Sequence, residues 1–116
     1  MVKMNSKKSA AMDKRKALTR DEALELVRRY KAVIRPRFDV DPRVLMFGSY
    51  SKGNANADSD IDVAVIVPTY GDRKFEISKN LWHDVDQVSL LIEPVLMADD
   101  RQSPLYDDVM RTGVSV

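Results

Sequence analysis

The sequence predicts an α/β domain, and three observations carry that expectation. Segments with apolar residues at helical spacing alternate with short, continuous apolar runs. One such run, Val44-Leu45-Met46-Phe47, feeds straight into Gly48. Another, Ile61 to Val67, is headed by Asp60 and carries Asp62 inside it. The 116 residues suffice for one domain with one modest core.

The first segment, residues 1–18, reads as a basic, flexible tail. Lys3, Lys7, Lys8, Lys14, Arg15, Lys16 and Arg20 face Asp13 alone in residues 1–20, a balance of +6 in a chain whose net charge is +1. Two uses stay open, a solvated tail or an arm for nucleic acid. No aromatic residue lies there to stack on a base, which weighs against the arm.

The domain proper is expected over residues 19–116. Thr19-Arg20-Asp21-Glu22 fits a capping box, with Thr19 as N-cap and Glu22 at N3. Ala23, Leu26, Val27, Tyr30, Val33 and Ile34 then recur at helical spacing until Pro36 stops the helix. Val44 to Phe47 is a short buried strand. A helical piece from about Tyr50 to Asn54 and a polar loop follow. Ile61 to Val67 is the strongest strand, punctuated by Pro68 and Gly71. A helix is expected from Arg73 to Val88 on Phe75, Ile77, Leu81, Trp82, Val85 and Val88, with Phe75 and Trp82 in the core. Leu90 to Met97 is a third strand with Pro94 inside it. Ser103 as N-cap and Pro104 at N1 open a last helix, which Gly113 closes as C′.

Composition excludes several classes. There is no cysteine, hence no disulfide scaffold, thiolate metal site or cysteine nucleophile. No apolar stretch approaches the roughly 18 residues of a membrane span. The basic N-terminus lacks the apolar core of a secretory signal. With 32% charged residues the chain reads as soluble and globular, in a cytoplasmic setting by default.

The chemistry lies in Gly48-Ser49-Tyr50-Ser51-Lys52-Gly53 and Ser59-Asp60-Ile61-Asp62. Strand side chains alternate faces, so Asp60 and Asp62 point one way and Ile61, Val63, Val65 and Val67 the other. Two carboxylates that close repel each other unless a cation lies between them. Mg²⁺ suits oxygen ligands and keeps positions for water and phosphate, and two ions about 4 Å apart can clamp an in-line displacement at phosphorus. Glu93 is the third candidate. It interrupts an apolar run, where a carboxylate is costly unless paired or metal-bound; an exposed edge-strand Glu is the other reading, and Pro94 supports it. The Gly48-Ser49 turn offers backbone N–H groups to phosphate oxygens, and Ser49 adds a hydroxyl. Gly53 repeats the backbone logic one turn later, and Lys52 is a counter-charge or simply an exposed lysine. His83, the one histidine, is expected on the surface with no role.

Gly48-Ser49, ten intervening residues and Asp60-x-Asp62 resemble the polymerase-β-like nucleotidyltransferase superfamily, within it the minimal nucleotidyltransferases. The resemblance runs over roughly residues 20–116. It implies a small mixed β-sheet with helices packed against it. Asp60, Asp62 and Glu93 would bind Mg²⁺, two ions in all, with Glu93 also activating the acceptor hydroxyl. Gly48 and Ser49 would hold the β- and γ-phosphates of an NTP, with ATP as the expected substrate. The chain ends soon after the third strand, so the acceptor is expected from another chain. The resemblance implies a helical HEPN-type toxin as partner and an antitoxin that AMPylates it. Two alternatives remain: a binding module that neutralises its toxin by contact alone, and a small-molecule nucleotidyltransferase acting as a homodimer.

Overall fold

The computed structural model describes residues 17–116. The tail expectation for residues 1–16 lies outside the described residues. Leu18 does not behave as tail: its N–H donates to the Tyr50 hydroxyl (3.2 Å) and its side chain packs against the core.

Helix α1 spans Arg20–Ile34 and opens with the expected capping box. The Thr19 hydroxyl accepts from the Glu22 N–H (3.0 Å), and the Glu22 carboxylate accepts from the Thr19 N–H (2.8 Å). Asp21 and Glu22 also place negative charge at the positive end of the helix dipole. Ala23, Leu24, Val27, Tyr30 and Ile34 are buried, while Leu26 and Val33 are only half-buried. The inward stripe therefore turns towards Leu24. A 3₁₀ turn, Arg35–Arg37, carries Pro36 and ends the helical run.

Strand β1 (Arg43–Phe47) leads into the single-turn helix α2 (Ser49–Lys52), then β2 (Ile61–Val67), α3 (Lys74–Asp84), β3 (Ile92–Ala98), α4 (Tyr106–Thr112) and β4 (Val114–Ser115). The four strands form one sheet in the order β3-β2-β1-β4. β1 runs antiparallel to β2 and β4, and β2 runs parallel to β3, so the sheet is mixed as expected. β4 is an addition: two residues are too few to show a period, yet Leu45 pairs with Ser115 and Met46 with Val114.

One face of the sheet packs Val44, Met46, Ile61, Val63, Val65, Ile92 and Leu96 against α1 and α3. The other sets Leu45, Phe47, Ala64, Ile66 and Met97 against Val109 of α4. β3 is an edge strand. Its odd-numbered residues bond to β2, as the Ile61 N–H to Leu91 carbonyl (2.7 Å) and Asp99 N–H to Val67 carbonyl (2.8 Å) bonds establish. The nitrogen of Pro94 consequently faces the free edge, where no donor is needed.

The helix over 73–88 needs correction. α3 stops at Asp84 and a 3₁₀ turn, Val85–Gln87, follows. Phe75 is 82% exposed and Trp82 50% exposed, not core. At 100° per residue, positions 77, 81 and 84 share one side and 75 and 82 the opposite one. The inward side takes Leu81 and also Asp84, which is 1% exposed. Arg37 holds that carboxylate with Nε (2.5 Å) and Nη2 (2.8 Å), and the Gln87 amide adds a third bond (3.3 Å). Tyr30, fully buried, donates its hydroxyl to the Leu81 carbonyl (2.7 Å) and ties α1 to α3.

Two further expectations shift. β3 begins at Ile92, because Ser89 and Leu91 are held in a turn by the Ser89 hydroxyl (3.1 Å to the Leu91 N–H), and Leu90 is 79% exposed. Ser103 and Pro104 form a turn before α4 rather than its cap; the Ser103 carbonyl accepts from the Tyr106 N–H (3.0 Å). Gly113 follows α4 with φ −71° and ψ 152°, extended rather than left-handed. A side chain there would overlap the Val109 carbonyl and crowd Leu45, so glycine serves close packing. Among the described residues no helix is long and apolar enough to cross a membrane.

Candidate active site

Phe47 ends β1 and the chain reverses at Gly48, whose φ of 75° and ψ of −151° only glycine adopts readily. A Cβ at Gly48 would overlap Oδ2 of Asp62. The glycine therefore clears space for a carboxylate as well as for the turn. The first intrahelical bond of α2 runs from the Lys52 N–H to the Gly48 carbonyl (3.1 Å), so the Ser49, Tyr50 and Ser51 N–H groups precede it without helical partners. Ser51 donates its hydroxyl back to the Gly48 carbonyl (2.9 Å). The Ser49 hydroxyl has no partner among the described residues. Tyr50 is buried and anchors the turn.

Gly53 does something other than expected. It is the left-handed C-cap of α2 (φ 79°), and its N–H donates to the Ser49 carbonyl. Its amide is thus engaged, and a side chain there would meet open space. Lys52 pairs with Asp108 of α4 (3.3 Å), and its charge also acts on Asp62.

The loop into β2 closes on itself. The Asn56 N–H donates to the Ser59 hydroxyl (2.9 Å), and the Asp58 N–H donates to the Asn56 side-chain oxygen (2.8 Å). This Asx turn sets the approach of Asp60; the Asn-x-x-Ser pattern was its only sequence signal.

Asp62 sits in one cross-strand row between Phe47 of β1 and Glu93 of β3. Ile61, Val63, Val65 and Val67 lie in the core on the opposite face, as the alternation requires. Burial, then the charge of Asp60, raise the Asp62 pKa, and Lys52 partly offsets them. A hydrogen bond with Asp60 raises the Glu93 pKa first, followed by burial and the charges of Asp60 and Asp62. Glu93 is accordingly half-buried within the carboxylate cluster, not a solvent-facing edge residue. His83 is exposed, as expected.

Asp62 and Glu93, both raised in pKa with the charge of Asp60 among the causes, form with it an oxygen donor set that a hard cation relieves. Among the described residues, no three His, Asp or Glu side chains are placed to hold an ion as they stand. The fit is therefore one of donor chemistry and strand register, with side-chain rotation needed to complete it. Cavities of about 250 and 440 Å³ lie at the far end of β2 and along β3, and neither is lined by Gly48, Asp60, Asp62 or Glu93. The chemistry of the cluster, not cavity size, marks the site.

Residues 27–98 match the nucleotidyltransferase domain family, a span that contains Gly48, Ser49, Asp60, Asp62 and Glu93. The chain belongs to that family. The nucleotidyltransferase is 28% identical over 102 residues to a Methanocaldococcus jannaschii protein provisionally named a protein adenylyltransferase, covering 82% of this chain and 99% of the relative. Its fold matches a crystal structure from Sulfolobus solfataricus, provisionally named a nucleotidyltransferase, with a TM-score of 0.60 at 15% identity over 96% of this chain and 87% of that one. A toxin–antitoxin structure with AMP-PNP aligns loosely, with a TM-score of 0.45 and 22% identity over 84% of this chain and 72% of that one. At that score the likeness bears on neither fold nor function.

Proposed function

We propose that this nucleotidyltransferase domain moves AMP from ATP onto a hydroxyl of a partner protein in a Mg²⁺-dependent reaction. We assign it as the antitoxin of a pair with a HEPN-type helical toxin. The observation that carries the chemistry is the row Asp62–Glu93 with Asp60 beside it, facing the Gly48-Ser49 turn. The relative provisionally named a protein adenylyltransferase supports the acceptor class. The HEPN assignment rests on the family resemblance of the motif.

In this reading the free N–H groups of α2's first turn and the Ser49 hydroxyl bind the β- and γ-phosphates. Asp60, Asp62 and Glu93 hold Mg²⁺, which when bound neutralises charge developing on the phosphate oxygens. Glu93, level with Asp62 in the strand register, takes the proton of the acceptor hydroxyl. The acceptor oxygen bonds to the α-phosphorus, the bond to pyrophosphate breaks, and pyrophosphate leaves. Lys52, tied to Asp108, sets the local field at Asp62 rather than reaching freely for phosphate.

The test is incubation with ATP labelled at the α- or γ-phosphate, Mg²⁺ and a co-expressed partner. Label on the partner from the α-phosphate alone is the expected result. Partner binding without label would favour the contact-only module. Label on a small molecule by a homodimer would favour the small-molecule transferase.

A further inference from the structure

The outer face of α3 carries two large aromatic side chains, Phe75 and Trp82, that the described chain leaves exposed. Seven residues apart, they lie within about 20° of each other around the helix and about 10 Å apart along it. They stand opposite the buried Leu81 and Asp84. Single exposed apolar residues are ordinary, but two aromatics on one line are not. Lys79 lies between them, about 40° round from Phe75, and has no ion-pair partner among the described residues. α3 packs against β3 and leads into exposed Leu90, three residues before Glu93. α3 covers the sheet face opposite the one from which Asp62 and Glu93 project, so an occupant of its outer face would hold a partner at a distance from the carboxylates.

Charge decides between occupants. Two copies pairing through α3 about a two-fold axis, Phe75 against Trp82, would centre between Ser78 and Lys79 and bring two Lys79 ammonium groups together. An anionic lipid surface is held by a cluster of about four or more basic residues, whereas Lys79 is the one cation between the two aromatics, and Arg73 is already paired with Glu76 (3.2 Å). A helix with an acidic residue between two apolar anchors complements aromatic, lysine and aromatic together. We propose that the outer face of α3 docks an amphipathic helix of a partner protein, whose apolar side chains seven residues apart meet Phe75 and Trp82 while an acidic residue between them meets Lys79. This rests on the reading that the domain acts on a partner protein, and its test reads binding rather than transfer, so the two can fail separately.

Trp82 is the only tryptophan and reports on its own surface. The full chain would be titrated with helical peptides bearing leucines seven residues apart and Glu, Ser or Lys between them. The Glu peptide should shift Trp82 emission to the blue and bind at least about tenfold tighter than the Lys peptide, and Lys79→Glu should reverse that order. Phe75→Ser should weaken the Glu peptide about tenfold with Tm and ATP binding unchanged, because the side chain supports no core. Equal binding of the Glu and Lys peptides, or no emission change with any peptide, overturns the proposal. So does a blue shift produced only by phosphatidylglycerol vesicles, or only by self-association on sedimentation.

Discussion

Asp62 occupies a place where a carboxylate is costly, half-buried in a strand with Asp60 and Glu93 beside it. The upward shifts of Asp62 and Glu93 mean the folded protein holds protons at pH values where the unfolded chain has released them. Their stabilising share is present below the ordinary carboxylate range, near pH 4, and is lost as pH rises through the raised values. The metal-free protein should therefore lose Tm as pH climbs from about 4 towards neutrality, and Asp62→Asn should flatten that slope while abolishing transfer. Calorimetry across pH checks the slope; a variant with full transfer would remove Asp62 from the site. Gly48 and Gly53 separate in the same way. Both have positive φ, so alanine at either should cost about 1–2 kcal/mol of backbone strain. Only Gly48→Ala also displaces Asp62, so only it should lose activity, whereas Gly53→Ala should keep it. Equal loss of activity in both would restore a phosphate role for Gly53. The period-two spacing of Asp60 and Asp62 was legible in the sequence, but the overlap of Gly48 with Asp62 was not, because it is made by packing two strands.

α3 shows how an element can be foreseen while its orientation is missed. Its helical character follows from a run without proline or glycine, but its apolar residues fall on two sides. Which side turns inward was settled by Asp84, whose partner Arg37 lies 47 residues earlier. No local pattern encodes such a pairing. Removing the guanidinium would leave the Asp84 carboxylate buried and unpaired, so Arg37→Ala should cost about 3 kcal/mol, the low end for a buried pair because Arg37 is 37% exposed. Urea denaturation measures it. A loss below about 0.5 kcal/mol would mean water replaces Arg37 freely. The capping box of α1, by contrast, is wholly local, and it formed as read. Gly113 falls between these cases: its place after α4 was legible, but its cause is contact with Val109 and Leu45 rather than a left-handed cap.

At the scale of the whole molecule, the mixed sheet brings one end of three strands together. β1 delivers Gly48, β2 delivers Asp60 and Asp62, and β3 delivers Glu93, because the parallel β2–β3 pairing sets Asp62 level with Glu93. The core holds this register: slipping β3 by one residue would turn Glu93 to the opposite face, beside Val63 and Val65, and expel Ile92 and Leu96 from it. The site is thus preassembled in backbone and unfinished in side chains, with Asp60 acting on Glu93 to raise its pKa. A cation that binds the folded cluster but not the unfolded chain must stabilise the fold by mass action, about 2.7 kcal/mol at a hundredfold excess over its Kd. It must also displace the protons that Asp62 and Glu93 retain. Mg²⁺ should therefore raise Tm more at pH 8 than at pH 5, and Asp60→Asn and Asp62→Asn should each abolish the effect. Glu93→Gln should shrink it and slow the chemical step by about 10²–10⁴-fold while ATP still binds. Scanning calorimetry with and without Mg²⁺ at both pH values gives the first readout, and single-turnover pyrophosphate release gives the second. A Tm that ignores Mg²⁺ at pH 8, or rises equally in the Asp62→Asn variant, would place any metal elsewhere and leave the carboxylate row without its proposed role.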